Sequence, residues 1–441
     1  MIFLIIVIVA IALYVWDYKV PALIIFFFFV TSGFNLVPEE VMANGLFTKG
    51  IDYAILIICG IILIDSFCIK NYLKPDKLIW LILIFYGFLL LCVIYNKFVI
   101  GTGWSEIVRT IRYNMLWIAY LVFRNLDKEQ LHTLLKWLFW ITVGCSILYL
   151  LQIVLNETIL NERMKSSAEF AGMTIPRFYN HPDMLQIFTF MAIYCNPCKG
   201  KTKIITAIIL IMALLGAFHR SLIIAFIVAI VIGFIIRLPR IKKFIALSAI
   251  AAFSLLVAVF FGYKFAHSRT IIDIATVMSS DMVSSDLEID FEDLSKSTFT
   301  FRMVHFLERN QYILEHPKTM FFGAGLMTED SKLTDSLFDF AIGLTEEISG
   351  KTIQLDTSDI SYSLLFMRYG YVGTFLNLLL YGFLMVSFYK NHKNPFGLFS
   401  FAYFIVVVIV SFFSSILALP ISFLLPLVTY NIMQKTKLEY E

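Results

Sequence analysis

The sequence predicts an all-α polytopic membrane protein with about 12–13 transmembrane helices and one large extracytoplasmic loop that contains helices of its own. Three observations predict it. Apolar residues make up 59% of the 441-residue chain and charged residues only 15%, far from the roughly 25% charge of a soluble domain. Apolar runs long enough to cross a hydrocarbon layer of about 30 Å recur from end to end, with Phe alone contributing 44 residues. Basic residues cluster in alternate loops, as they do when Lys and Arg are retained on the cytoplasmic side. A water-soluble fold is excluded, and a net charge of +3 is too small to argue for a nucleic-acid partner.

The first segment, from Met1 to Trp16, is apolar from its first residue, has no basic leader and lacks an A-x-A-like site. It therefore reads as a retained span rather than a cleaved signal. Further apolar segments are centred near residues 28, 60, 87, 115, 145, 190, 211, 229, 255, 378, 405 and 425; those near 28 and 190 hold only about a dozen strongly apolar residues, short for a full crossing. With the N-terminus outside, the basic clusters all fall on the cytoplasmic side: Lys70 to Lys77, Arg124 to Lys136, Lys199 to Lys203, Arg237 to Lys243, Lys390 and Lys393, and Lys435 and Lys437. The expected location is the cytoplasmic (inner) membrane, with the C-terminus cytoplasmic. This divides the chain into residues 1–265, the first ten spans; 266–360, the extracytoplasmic loop; and 361–441, the last three spans and a cytoplasmic tail.

The same topology places a loop from about Asn156 to Asp183, a tight turn at His219-Arg220 and the long segment together on the outer face. Between Ala266 and Ile360 there are 17 Asp or Glu against 7 Lys or Arg, a balance that a long translocated loop tolerates. It holds no cysteine, hence no disulfide. Cys59, Cys68, Cys92 and Cys145 read as packing residues, and Cys195-Asn-Pro-Cys198, with no second pair and no nearby His, is weak ground for a metal or redox site.

Within the long segment, Thr300 is placed to cap a helix from Phe301 to Glu315, which Pro317 ends. At about 100° per residue, Arg302, His305, Arg309 and His316 share one face, and Val304, Leu307, Gln311 and Leu314 the other. The alternatives for this face are a solvated basic surface and an anion site, since Arg offers planar donor forks to phosphate oxygens. Gly323 and Gly325 then mark a sharp turn or a close backbone approach. Arg109, Arg112, Arg163, Arg177, Arg220 and Arg368 fall near the same outer end. Against the positive-inside trend, such a collection points to an anionic group held at the outer surface on a lipid anchor.

His219-Arg220-Ser221 followed by an apolar span resembles the Ser-Arg-Gly element of the O-antigen polymerase and O-antigen ligase superfamily. Arg302 to Gly325, through Glu315-His316-Pro317 and Gly323-Ala-Gly325, resembles its ordered Arg, E-x-P and G-x-G signature. Asp359-Ile-Ser-Tyr362, continuing to Gly370-Tyr-Val-Gly373, resembles its H-N-x-Y and G-L-x-G lead-in, and Arg177-Phe-Tyr-Asn-His-Pro182 is similar to an earlier aromatic turn of these proteins. The resemblance covers roughly residues 160 to 390 and implies a membrane fold like that of the C class of glycosyltransferases. It also implies a cofactor-free, metal-independent glycosyl transfer that joins undecaprenyl-diphosphate-linked oligosaccharide repeat units, as donor and acceptor, outside the cytoplasmic membrane. A chain-length regulator is an implied partner beside membrane lipid.

Under this reading Asp359, Arg302 and Arg220 carry the chemistry. Arg177, His181, His305, Arg309, Arg112, Asp356 and Tyr362 hold the diphosphate or the sugar. Where ligases carry the His of H-N-x-Y this chain has Asp359, which favours a polymerase over transfer of glycan to lipid A-core. Asp359 is equally placed to cap the helix that follows. A lipid-linked oligosaccharide flippase is the other class considered; the chain lacks the internal repeat that many transporters show and has almost no ionisable residue at span midpoints. Glu39-Glu40 would suit a metal-dependent transferase, but an adjacent pair points two ways in most backbones.

Overall fold

In hydrocarbon every backbone N–H and C=O must find its partner inside the protein, so apolar segments of this kind have little choice but to form helices. The computed structural model describes residues 2–45, 47–69, 72–161, 165–170, 173–239, 241–242, 298–329, 331–342, 352, 354–355 and 360–438. The first half of the bundle consists of α1 (Ile2–Val15), α2 (Lys19–Val30), the short α3 (Glu39–Met42), α4 (Gly50–Cys68), α5 (Lys77–Tyr95), α6 (Trp104–Met115), α7 (Ala119–Asn125) and α8 (Lys128–Leu155). A hairpin of β1 (Lys165–Phe170) and β2 (Met173–Phe178) precedes α9 (Leu185–Tyr194), α10 (Gly200–Gly216) and α11 (Arg220–Arg237). The long segment contributes α12 (Thr298–Glu315), α13 (Pro317–Phe322) and α14 (Lys332–Leu337), and the chain closes with α15 (Ser361–Lys390), α16 (Pro395–Val410) and α17 (Ile421–Leu438).

Every predicted span coincides with helix, apart from the one near residue 255, which lies outside the described residues. Among the described residues, five helices are long and apolar enough to cross a membrane: α4, α5 with its π-turn to Ile100, α8, α11 and α15. The chain is thus a mostly helical membrane protein. Two details differ from expectation. The helices are accompanied by one small hairpin, in which β1 and β2 pair antiparallel with Lys165 opposite Phe178 and Phe170 opposite Met173. The fifth span is not one helix: it breaks at a 3₁₀ turn, Leu116–Ile118, between α6 and α7. Glu106, Arg109 and Arg112 make α6 amphipathic, so only the half after the break is continuously apolar. At 10 residues, α9 is about 15 Å long, half a hydrocarbon thickness.

α16 is the centre of the bundle. Nearly every side chain from Gly397 to Val407 is buried, the mark of a helix apolar on all sides, and it packs against α9, α11, α15 and α17. The two ends of the bundle differ in chemistry. At one, Arg124 donates to the carbonyls of Tyr72 and Lys74 (both 2.8 Å), and His132 at the start of α8 meets Phe396 at the start of α16. α8 and α16 both run from this basic end to the opposite one, where the long segment docks.

Docking is backbone against backbone. The helical course of α15 is interrupted at Gly370 (φ 63°, ψ −171°), and Gly323, at φ 76°, lies directly on that break. A Cβ on Gly323 would come within 2.6 Å of the Met367 carbonyl oxygen, and one on Gly370 within 2.6 Å of that of Met320. The interruption frees the Met367 carbonyl, which accepts from the amides of Ala324 (2.7 Å) and Gly325 (3.2 Å). Asn96 completes the dock: its Oδ1 accepts from Leu326 N at 2.6 Å, while Phe322 stacks on Tyr95. Met367 also joins a small core formed by Ile313, Ala324, Met327, Phe338, Phe340 and Leu355, so the described part of the long segment shares a core with the following span.

Replacing either glycine with alanine forces an L-residue into the left-handed region and into contact with carbonyl oxygen. Gly323→Ala and Gly370→Ala should each cost about 1–3 kcal/mol, read as a lower melting temperature in detergent. The double variant should fall short of the sum, since both relieve or break one contact. Gly87→Ala and Gly382→Ala, where a Cβ meets nothing within 4 Å, should melt at or slightly above the wild-type temperature.

Candidate functional site

At the end opposite the basic loops, three segments far apart in sequence deliver one arginine each. Arg177 sits at the end of β2, Arg220 opens α11, and Arg302 lies in the first turns of α12. Together with Phe218, His219, Ser221 and Phe413 they line a cavity of about 470 Å³. No carboxylate among the described residues lines it. Guanidinium groups stay charged at any physiological pH, and α11, 18 residues long, adds the positive end of its dipole. Such a cavity has the charge and the donor groups that an anion with several oxygens would require.

Each arginine is positioned by identifiable local chemistry. Between α10 and α11 the chain turns through Phe218, a non-glycine residue at φ 47°. This lets His219 cap α11, its Nδ1 accepting from the Leu222 amide (3.4 Å) and from the Ser221 hydroxyl (3.0 Å). Arg177 lies over the ring of Tyr179 at 4.5 Å, two residues along an extended chain and so on the same side. Its Nε has no hydrogen-bond partner among the described residues.

The loop that carries Arg177 is fastened from beneath. Tyr149 and Gln152, both buried on α8, reach it: Tyr149 donates to the Phe178 carbonyl at 2.8 Å, and Gln152 donates to Asn180 Oδ1 at 3.0 Å while accepting from the amides of Ile159 and Leu160. From the side comes a left-handed turn in which Ser32, Gly33, Phe34 and Asn35 all have positive φ. Asn35, like Gln152, holds both flanks of the loop: its carbonyl accepts from Asn161 N (2.8 Å) and its Oδ1 from Asp183 N (3.2 Å).

The charges around the cavity act on the nearby histidines. Burial, then the charges of His181, Arg177 and Arg302, push His219 down from 6.5 to about 4. Burial likewise lowers His181, against a backbone hydrogen bond with Tyr179. At pH 7 the His219 imidazole is neutral.

Other sequence-assigned residues lie elsewhere. Of the basic front expected for α12, only Arg302 lines the cavity: His305 is 3% exposed and Arg309 is fully buried, whereas Leu314, expected on the apolar back, is 53% exposed. Arg309 pairs with Glu308, donates to the Gln354 carbonyl and lies over Phe340 at 4.2 Å. Glu308 in turn accepts from the amides of Ala341 and Ile342, so this pair braces the loop's own core. His305 packs on Phe301, and His316 hydrogen-bonds the Tyr312 carbonyl. Arg112, 5% exposed, is engaged by Thr48 (2.7 Å), just before α4, and by Asp52 (3.2 Å) in its first turn. Tyr362 lines a separate, apolar cavity of about 130 Å³ and accepts from Ser411. Glu39 pairs with Lys49. Asp356, Asp359 and Arg163 lie outside the described residues.

The structure therefore brings together Arg177, Arg220 and Arg302, and with them His219, which sequence reasoning quoted in a motif without giving it a role. Nothing in the sequence marks Asn35, Tyr149, Gln152 or Phe413 as neighbours of those arginines, because each acts across the fold. No protein-family model matches the chain, and no curated protein matches it significantly.

Because the folded state holds His219 at about 4 and the unfolded chain leaves it near 6.5, the unfolded state binds more protons between these values. The stability this group contributes is complete above about pH 6.5 and is lost as pH falls toward 4. His219→Asn keeps an equally good helix cap but removes the titration. The melting temperature of wild type should consequently fall more between pH 7 and pH 4.5 than that of His219→Asn; parallel curves would show that the imidazole does not titrate against these charges.

Proposed function

We propose that the arginine cavity binds the diphosphate of a lipid-linked oligosaccharide and that the chain is a membrane glycosyltransferase, a polymerase of such repeat units on the outer side of the cytoplasmic membrane. The observation that carries this reading is the convergence of Arg177, Arg220 and Arg302, from three separate segments, on one cavity without a lining carboxylate among the described residues. The arginine motifs behind the family resemblance are the ones that meet there. The gathering of basic loops at the opposite end supports placing the cavity outside.

In the reaction the bond between the anomeric carbon and the diphosphate oxygen breaks, its electron pair stays on the diphosphate, and the acceptor hydroxyl oxygen bonds to the carbon. Guanidiniums directed at the diphosphate stabilise charge that grows in the transition state. The acceptor's proton needs a base, and Asp359 is the candidate. Its neighbourhood in the chain supports it: Ser361, two residues on, hydrogen-bonds the carbonyls of Ser411 and Ser414, which flank the cavity residue Phe413.

Turnover of a defined lipid-linked repeat unit tests the arginines. Ala at Arg177, Arg220 or Arg302 should each lower kcat/KM on the order of 10²-fold, with Lys restoring only part, because it keeps the charge and loses the fork. Full activity of all three Ala variants, at normal abundance and melting temperature, would reduce them to surface charge.

Asp359→Asn should lower kcat on the order of 10²-fold while leaving donor binding nearly intact. If Asp359 only caps the helix, Asn replaces it without effect. Inactivity of Asp356→Asn beside an active Asp359→Asn would transfer the role to Asp356.

A further inference from the structure

We propose that His219 is a further catalytic residue of this cavity, a neutral imidazole that donates its Nε2–H to the diphosphate oxygen released when the glycosyl bond breaks. The inference rests on the glycosyl-transfer reading above and gives a role to a residue that the reading itself does not use.

The tautomer follows from geometry. A backbone amide can only donate, so the contact from Leu222 N to His219 Nδ1 requires a lone pair on that nitrogen. The Ser221 hydroxyl, at 3.0 Å from the same atom, then donates to it as well. With Nδ1 occupied as acceptor, the ring proton of the neutral imidazole sits on Nε2. Neutrality has an independent cause: burial of the ring first, and then His181, Arg177 and Arg302, the charged or titratable groups that act on it, all disfavour a further positive charge. His219 therefore has no free lone pair with which to act as a base. What it offers is a donor.

Its location makes the donor useful. His219 immediately precedes Arg220 in the cavity lining, at the amino end of α11, where the backbone dipole also favours negative charge. A fourth cation would add repulsion in the free cavity. A neutral N–H adds a directed hydrogen bond without it, and an imidazole kept neutral at a helix amino terminus is a known way to polarise a developing oxyanion. The chain reaches this position through Phe218 in the left-handed region, strain of the kind that clusters where a side chain must be aimed.

The cap and the donor can be separated by substitution. His219→Asn supplies an oxygen near the position of Nδ1 and so restores the cap; His219→Gln supplies an amide N–H near the position of Nε2 and so restores the donor; His219→Ala supplies neither. The full-length protein is assayed in detergent with a defined lipid-linked repeat unit, and kcat and KM are expressed per folded molecule, with the Ala variants at Arg177, Arg220 and Arg302 alongside. Expected is a kcat loss on the order of 10²-fold for His219→Ala and His219→Asn, at KM within a few-fold of wild type. His219→Gln should recover at least about 10-fold of that loss despite a melting temperature below that of His219→Asn. The reverse order, with Asn active and Gln as poor as Ala, or a loss confined to KM, would overturn the proposal and leave His219 a helix cap. Undiminished turnover of the folded Ala variants at Arg177, Arg220 and Arg302 alike would instead remove the reading on which the proposal stands, whatever the His219 series shows.

Discussion

Three guanidinium groups around one cavity repel one another, and much of the surrounding structure is arranged to resist that repulsion. A cavity of about 470 Å³ is roughly 10 Å across, a separation at which two unit charges repel by on the order of 1–2 kcal/mol at an effective dielectric near 20. Pairs that include the exposed Arg220 are screened further by water. Left to local preference, such side chains would swing apart. Here each is tied to an element that cannot follow it: Arg302 to a helix that shares a core with α15, Arg220 to a helix start fixed by the His219 cap, and Arg177 to a loop fastened by Tyr149, Gln152 and Asn35.

That scheme needs the long segment to sit in one place on the bundle, and side-chain packing alone is a soft way to achieve it. The Gly323–Gly370 contact is stiffer. The break in α15 removes one carbonyl from helical bonding, and the docked loop satisfies it with two amides, so neither partner is complete without the other. Asn96 does the same from α5. Because the break lies nine residues from the start of α15, the register that seats α13 on the span also sets where Ser361 meets Ser411 and Ser414. Docking of the loop and the position of Phe413 are thereby two ends of one rigid connection.

How much of this the sequence discloses varies with the range of the interaction. Apolar length and basic-loop alternation locate helices, because both are local to the chain and imposed by the solvent. They fail where a segment is too polar to be one helix, as at Glu106 to Arg112, and where a short polar loop can pair with itself, as at Lys165 to Phe178. Gly323 and Gly325 are legible as a close approach, but the partner, Gly370, is not, since nothing local distinguishes a glycine that breaks a span from one, such as Gly382, that does not. Arg177, Arg220 and Arg302 are legible through motif order. The anchors Asn35, Tyr149 and Gln152 read as ordinary turn or span residues until the fold gives them neighbours.

The two arginines that lie apart from the cavity show what separates a site from a scaffold. Periodicity puts Arg309 on the same face of α12 as Arg302, and outer-end position groups Arg112 with Arg220, yet Arg309 has Glu308 and Arg112 has Asp52. A buried guanidinium must be compensated, and where a carboxylate has been supplied inside the protein the charge is already neutralised and has little left to offer a ligand. Both carboxylates were visible in the sequence. Glu308 is adjacent to Arg309, where helical spacing points it away, and it reaches the arginine only because the loop residues Ala341 and Ile342 hold the carboxylate in place with their amides. Asp52 is sixty residues from Arg112 and meets it only through the packing of α4 on α6. The cavity arginines are delivered from three separate segments to one shared space whose described lining holds no carboxylate. Convergence on one space, more than position on one helix face or at one end of a span, distinguishes the candidate site from the arginines that brace the fold.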